Sequence, residues 1–134
     1  MTASIELRLP ASPEAVGRAR HALDALAGDL SATVLDDLRL MVSELVTNCL
    51  RHGGLRPEDP IDVLVSSADD RIRMEVVNPG TGFYPPGSEP SIYQTSGWGL
   101  FLVSRLADQW GVDRRGGTRV WLEVDVQRRE TRAS

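Results

Sequence analysis

One stretch constrains this chain more than any other. Between Ser31 and Gly54, Leu35, Leu38, Val42, Leu45 and Cys49 fall on one stripe, the period of a helix that must bury a side. Ser31 or Thr33 starts that helix, and Gly53 and Gly54 stop it after His52. The flanking segments supply sheet to bury it against. "SIELRL" alternates, with Ile5, Leu7 and Leu9 on one face, as a half-buried strand does. A first helix follows, with Ser12 as N-cap, Pro13 at its first position, Val16, Ala19, Leu23 and Leu26 at helical spacing, and Gly28 as its stop. "IDVLVSSADDRIRMEVVNPG" reads as a hairpin turning at Ala68 to Asp70.

From Gly80 to Ser96 the chain is rich in proline and glycine and has neither period, the mark of a functional or disordered segment. "GWGLFLVSRLADQWG" reads as a helix, and "VDRRGGTRVWLEVDV" as a second hairpin turning at Arg115 to Gly117. The tail "QRRETRAS", residues 127–134, is polar and expected to fray. The order strand, helix, helix, two strands, loop, helix, two strands predicts one α+β domain over residues 1–134. It would be a two-layer sandwich of a mostly antiparallel mixed sheet with its helices on one face.

Composition removes whole classes of function. The chain has 134 residues, a net charge of -4 and no lysine, so it lacks the basic face of a nucleic-acid binder and every lysine-dependent phosphate or Schiff-base chemistry. Phosphate binding here must rest on backbone amides, arginine or a metal. The single cysteine, Cys49, has no intramolecular disulfide partner, and His21 and His52 are too far apart for a local metal motif. No signal peptide or membrane-length apolar run is present, which leads us to expect a cytoplasmic protein without membrane contact.

Three clusters carry candidate chemistry. In "SELVTNCLRHGG", Glu44, Asn48 and His52 succeed one another four residues apart on one helix line beside the apolar stripe, with Arg51 alongside. A proton-accepting carboxylate and a carboxamide oxygen able to hold Mg²⁺ suit phosphoryl transfer; an exposed polar helix face is the alternative. In "VVNPGTGF", Asn78 is followed by Gly80 and Gly82, whose missing side chains allow positive φ and close approach to a flat ligand. The same letters also make an ordinary strand-ending turn. In "TSGWGLFLV", Gly97 and Gly99 leave the first helical amides bare from Gly97 through Trp98 and Gly99 to Leu100, an anion-binding helix start or simply a capped one. Trp98 suits a packing or lid role there.

In this order and separated by a proline-rich loop, the clusters resemble the N, G1 and G2 boxes of the GHKL ATP-binding (Bergerat) fold. "SELVTNCLRHG" followed by "GWGLFLVSRLADQWGV" most resembles the stand-alone anti-sigma factor serine kinases of Gram-positive bacteria. The resemblance implies ATP and Mg²⁺ as cofactors, a sigma factor and a STAS-type anti-anti-sigma protein as partners, and a homodimer. It implies Glu44 as the base for the partner's serine, Asn48 as the Mg²⁺ ligand, and Arg51 and His52 near the phosphates. Gly80 and Gly82 would lie under adenine, Thr118 would reach it, and residues 83–96 would form the ATP lid. The arginine-rich, lysine-free composition suits an actinobacterial source.

The chain departs from the resemblance at Asn78, where the G1 box usually carries aspartate. A carboxamide oxygen still accepts from the adenine amino group, but a neutral bond is worth about 1 kcal/mol where a charge-assisted one is worth roughly 1.5–3. The expected cost is about tenfold in affinity. A degenerate, non-catalytic binding module of the same fold, acting by sequestering a partner, is the competing expectation. A detached histidine-kinase domain fits less well, since His21 in "RARHALDAL" lacks the acidic neighbour of a phosphoacceptor.

Overall fold

The structure is a computed structural model that describes residues 3–80 and 99–127. Five strands form one sheet in the order β1-β2-β3-β5-β4, where β1 is Ala3–Pro10, β2 Pro60–Ala68, β3 Arg71–Asn78, β4 Gln109–Asp113 and β5 Thr118–Asp125. Three helices, α1 (Glu14–Ala22), α2 (Ala32–His52) and α3 (Gly99–Leu106), complete the expected two-layer α+β arrangement. All four strand pairings are antiparallel.

Register explains the single core. Leu9 pairs with Ile61, Val65 with Met74, Val76 with Val120, and Ile72 with Val124, so the apolar alternation of every strand falls on one face. Against that face lie Val34, Leu38, Met41, Val42, Leu45 and Val46 of α2, all essentially inaccessible to solvent. The helix α2 packs on α1, α3 and β3. It begins where the sequence places it: Ser31 is the N-cap, its Oγ accepting the Val34 amide at 3.3 Å. Both hairpin turns fall at the expected positions. Asp69 (φ 57°) turns the first; Gly116 (φ 67°) and Gly117 (φ 134°) turn the second.

Two boundaries differ from expectation. The first helix does not run to Gly28; α1 ends at Ala22 and tightens into a 3-10 turn over Leu23–Leu26, which still buries Leu23 and Leu26. Pro13 stands at its N-cap, and Ser12 serves through its backbone carbonyl, which accepts the Ala15 amide at 3.0 Å. At the other end, "QWG" belongs to the sheet, with Asp108 just before it. The Asp108 amide donates to the Glu123 carbonyl at 2.9 Å, and its carboxylate accepts the Asp125 amide at 2.6 Å. Cross-strand pairing thus overrides the local helical period, and Trp110 pairs with Leu122.

Candidate functional site

Each of three apolar rows ends in a polar group, and the three ends meet. On β3 the buried row Ile72, Met74, Val76 ends in Asn78. On β5 its partners Val124, Leu122, Val120 end in Thr118, directly across from Asn78. On α2 the stripe ends in Cys49. Asn78 is only 6% exposed, the one buried polar or charged side chain among the described residues. A carboxamide buried that deeply must have its hydrogen bonds made.

They are made by named partners. The Asn78 Nδ2 donates to Cys49 Sγ at 3.1 Å, while its Oδ1 accepts the Gly80 amide at 2.8 Å. The Thr118 hydroxyl donates to the Gly80 carbonyl at 2.8 Å. The turn after β3 is therefore held from both strands. These bonds take one lone pair and one hydrogen of the Asn78 carboxamide, leaving the group capacity for one acceptance and one donation more. Burial pushes the Cys49 thiol up to about 11, against the opposing effect of the Asn78 hydrogen bond, so the sulfur is a neutral acceptor at physiological pH.

Close packing fixes the same corner. A Cβ on Gly80 would stand 2.0 Å from the Gly53 carbonyl oxygen, and one on Gly117 2.5 Å from the Asn78 carbonyl oxygen. Gly80 is thus required, but not for the positive φ that its sequence context suggests; its φ lies outside the left-handed region, and the C-cap of α2 occupies the space a side chain would need. Sequence reasoning passed over Cys49, Gly53 and Gly117. Cys49 carried a signal, being the last apolar position of the α2 stripe and next to Asn48, but its partner is 29 residues away.

The polar row of α2 emerges at the rim of the core. Glu44, Asn48 and His52 are half-buried and Arg51 is exposed. The His52 pKa is lowered, first by burial and then by the Arg51 charge, both of which favour the neutral ring. The helix α3 packs against α2, with Gly99 its first helical residue and Leu100 buried at 5% exposure. Gly82, Gly97, Trp98 and the lid segment 83–96 lie outside the described residues.

The groups at this corner would suit the edge of a purine: a buried carboxamide with one donor and one acceptor to spare, a strand threonine, and two glycines where a side chain would collide with backbone. Among the described residues no cluster of three or more His, Cys, Asp or Glu is placed to hold a metal, so a Mg²⁺ ion would rely on Asn48 together with phosphate oxygens.

Comparison with known proteins gives the family. The profile of the histidine kinase-like ATPase domain matches residues 9–124. The serine-protein kinase RsbW of Oceanobacillus iheyensis is 28% identical over 94% of this chain and 89% of its own length. That of Listeria innocua is 32% identical over 78% of this chain and 75% of its own. Among solved structures, the RsbU and RsbW domains of a Mycobacterium tuberculosis protein superpose with a TM-score of 0.68 at 21% identity, over 92% of this chain and 32% of that one. A blue-light activated histidine kinase from Erythrobacter litoralis superposes at 0.61 and 22% identity, over 92% and 64%. This chain spans about a third of the first of those polypeptides, so these two likenesses concern the fold alone. The chain belongs to the histidine kinase-like ATPase domain family and, within it, to the relatives of the serine-protein kinase RsbW.

Proposed function

We propose that this chain is an ATP-dependent protein serine kinase of the anti-sigma type, passing the ATP γ-phosphate to a serine of a STAS-type anti-anti-sigma protein and sequestering a sigma factor. The observation that carries the reading is the meeting of Cys49, Asn78, Gly80 and Thr118 at one buried corner, beside the helix that bears Glu44 and Asn48. Asn78 and Thr118 face the base. Asn48 would hold Mg²⁺, which would supply charge neutralisation to the phosphates. Amides from Gly97 to Leu100, with Arg51 and His52, receive the phosphates. Glu44, one turn before Asn48, takes the proton of the incoming serine hydroxyl. Among the described residues no helix is long and apolar enough to cross a membrane. A cytoplasmic homodimer is what the family resemblance supports.

The test is phosphate transfer from γ-labelled ATP to a STAS-type partner, with ATP binding measured beside it. Glu44→Ala should abolish transfer and leave ATP affinity within about threefold, whereas equal loss of both would remove Glu44 from the base role. A second reading, a binding module without phosphotransfer, draws on the uncharged Asn78 at the base contact. It predicts that the wild-type chain binds a partner but transfers no phosphate.

A further inference from the structure

Asn78 presents a problem that an aspartate in its place would not. A carboxylate has two equivalent acceptors and no polarity. A carboxamide has an acceptor and a donor, and a half-turn about its last torsion exchanges them. The two orientations present opposite patterns to a purine. A 6-amino purine offers a donor at its exocyclic nitrogen and an acceptor at N1; a 6-oxo purine offers an acceptor at O6 and a donor at N1. An unrestrained Asn could turn to suit either.

Here the orientation is restrained at both ends. The Gly80 amide, 2.8 Å from Oδ1, can only donate, so the carboxamide oxygen and not the nitrogen must face it. On the other side Cys49 Sγ stands 3.1 Å from Nδ2 and receives one of its hydrogens. Turning the group over would set an N–H against the Gly80 N–H and remove the hydrogen that the sulfur accepts. Neither Cys49, at 7% exposure, nor Asn78, at 6%, can recover the loss from solvent.

We propose that Cys49 is a positioning residue for base selection: by accepting the Asn78 amide hydrogen it holds the carboxamide oxygen in the orientation that receives a 6-amino purine and disfavours a 6-oxo purine. The inference rests on the nucleotide reading given above and adds to it an uncharged device for base choice, shared between the last apolar turn of α2 and the end of β3. Reversal loses two neutral hydrogen bonds, each worth about fivefold to tenfold in affinity, and the one to Cys49 sets the share of the discrimination that its removal should abolish.

The test is calorimetric titration of the full chain with MgATP and with MgITP, which differ at position 6 and N1 of the base. Five proteins are compared: wild type, Cys49→Ala, Asn78→Asp, the double variant of these two, and Cys49→Ser as a better-tolerated partner to the alanine. Thermal melts confirm that each is folded. Wild type should prefer ATP by about thirtyfold. Cys49→Ala should cut that ratio to about fivefold, the part the Gly80 amide still enforces, and Cys49→Ser, whose hydroxyl also accepts, should restore it. In the Asn78→Asp background the alanine should leave the ratio unchanged, because a carboxylate has no orientation to lose. An equal change in both backgrounds would mean that Cys49 only packs, and equal wild-type affinity for the two nucleotides would mean that Asn78 is not held; either overturns the inference while leaving the nucleotide site standing. Failure of wild type and Asn78→Asp alike to bind either nucleotide would overturn the nucleotide reading itself, and this inference with it.

Discussion

The two faces of the sheet solve opposite problems with the same strands. On the helix-covered face, β3 and β5 end in Asn78, buried, and Thr118, half-buried, neutral groups fixed by bonds of 2.8–3.1 Å. On the other face the same strands carry an ion-pair network. Glu123 joins Arg71 at 3.0 Å and Arg73 at 2.9 Å, while Glu75 joins Arg73 at 2.8 Å and also Arg119. Arg73 lies 4.5 Å over the Trp121 ring, whose indole in turn fills the space beside Gly111. Position is what the covered face must supply, and there a misplaced atom has no water to fall back on. Charge pairs on the open face are screened and replaceable. The candidate site therefore sits where substitutions are costly, and the network where they are mild.

That contrast breaks most visibly at Gly80. Gly80→Ala brings a methyl group onto the Gly53 carbonyl, backbone against backbone, and should destabilise the fold by about 3 kcal/mol in urea titration while abolishing nucleotide binding. A loss below about 0.5 kcal/mol would show that this corner yields as easily as a surface turn.

Next in size is an alkaline effect from Cys49. The thiol ionises near 9.0 in the unfolded chain and at about 11 when folded, so above pH 9 the unfolded state sheds the proton first. Stability due to the buried neutral thiol is complete below pH 9 and declines as pH rises toward 11, by up to about 2.5 kcal/mol. Melting temperatures of Cys49→Ala should lack this decline. The Thr118→Val substitution removes the hydroxyl bond to the Gly80 carbonyl and should cost about 1 kcal/mol, read in the same melts.

The smallest effect belongs to the open face. Burial pushes the Glu75 pKa up, but the hydrogen bonds from Arg73 and Arg119 outweigh it and the net shift is downward. Its contribution is present above the unfolded value of 4.5 and is lost as pH falls below it through the folded value. At pH 7, Glu75→Gln should cost about 0.5 kcal/mol and less in 1 M salt. A salt-insensitive loss of 2 kcal/mol or more would place the network on the same footing as the buried corner.

Much of this was legible in the sequence because it rests on local rules. Period gave α2 its stripe and the strands their buried faces, and turn chemistry placed the hairpins at Asp69 and Gly116–Gly117. The grouping of Asn78, Gly80 and Thr118 followed from the resemblance. What escaped was tertiary. Gln109–Gly111 continue a helical period yet pair with β5, because the Glu123 carbonyl is there to accept the Asp108 amide. Cys49 reads as one more apolar residue until Asn78 is brought against it, and Gly80 reads as a flexible turn until Gly53 fills the space around it.

The most direct test of the account is amide hydrogen exchange with and without MgATP. The account predicts protection at Gly80, Thr118 and the first turn of α3, with the Arg71–Asp125 end of the sheet unchanged. Unaltered exchange at Gly80 and Thr118 in the presence of saturating MgATP would contradict it.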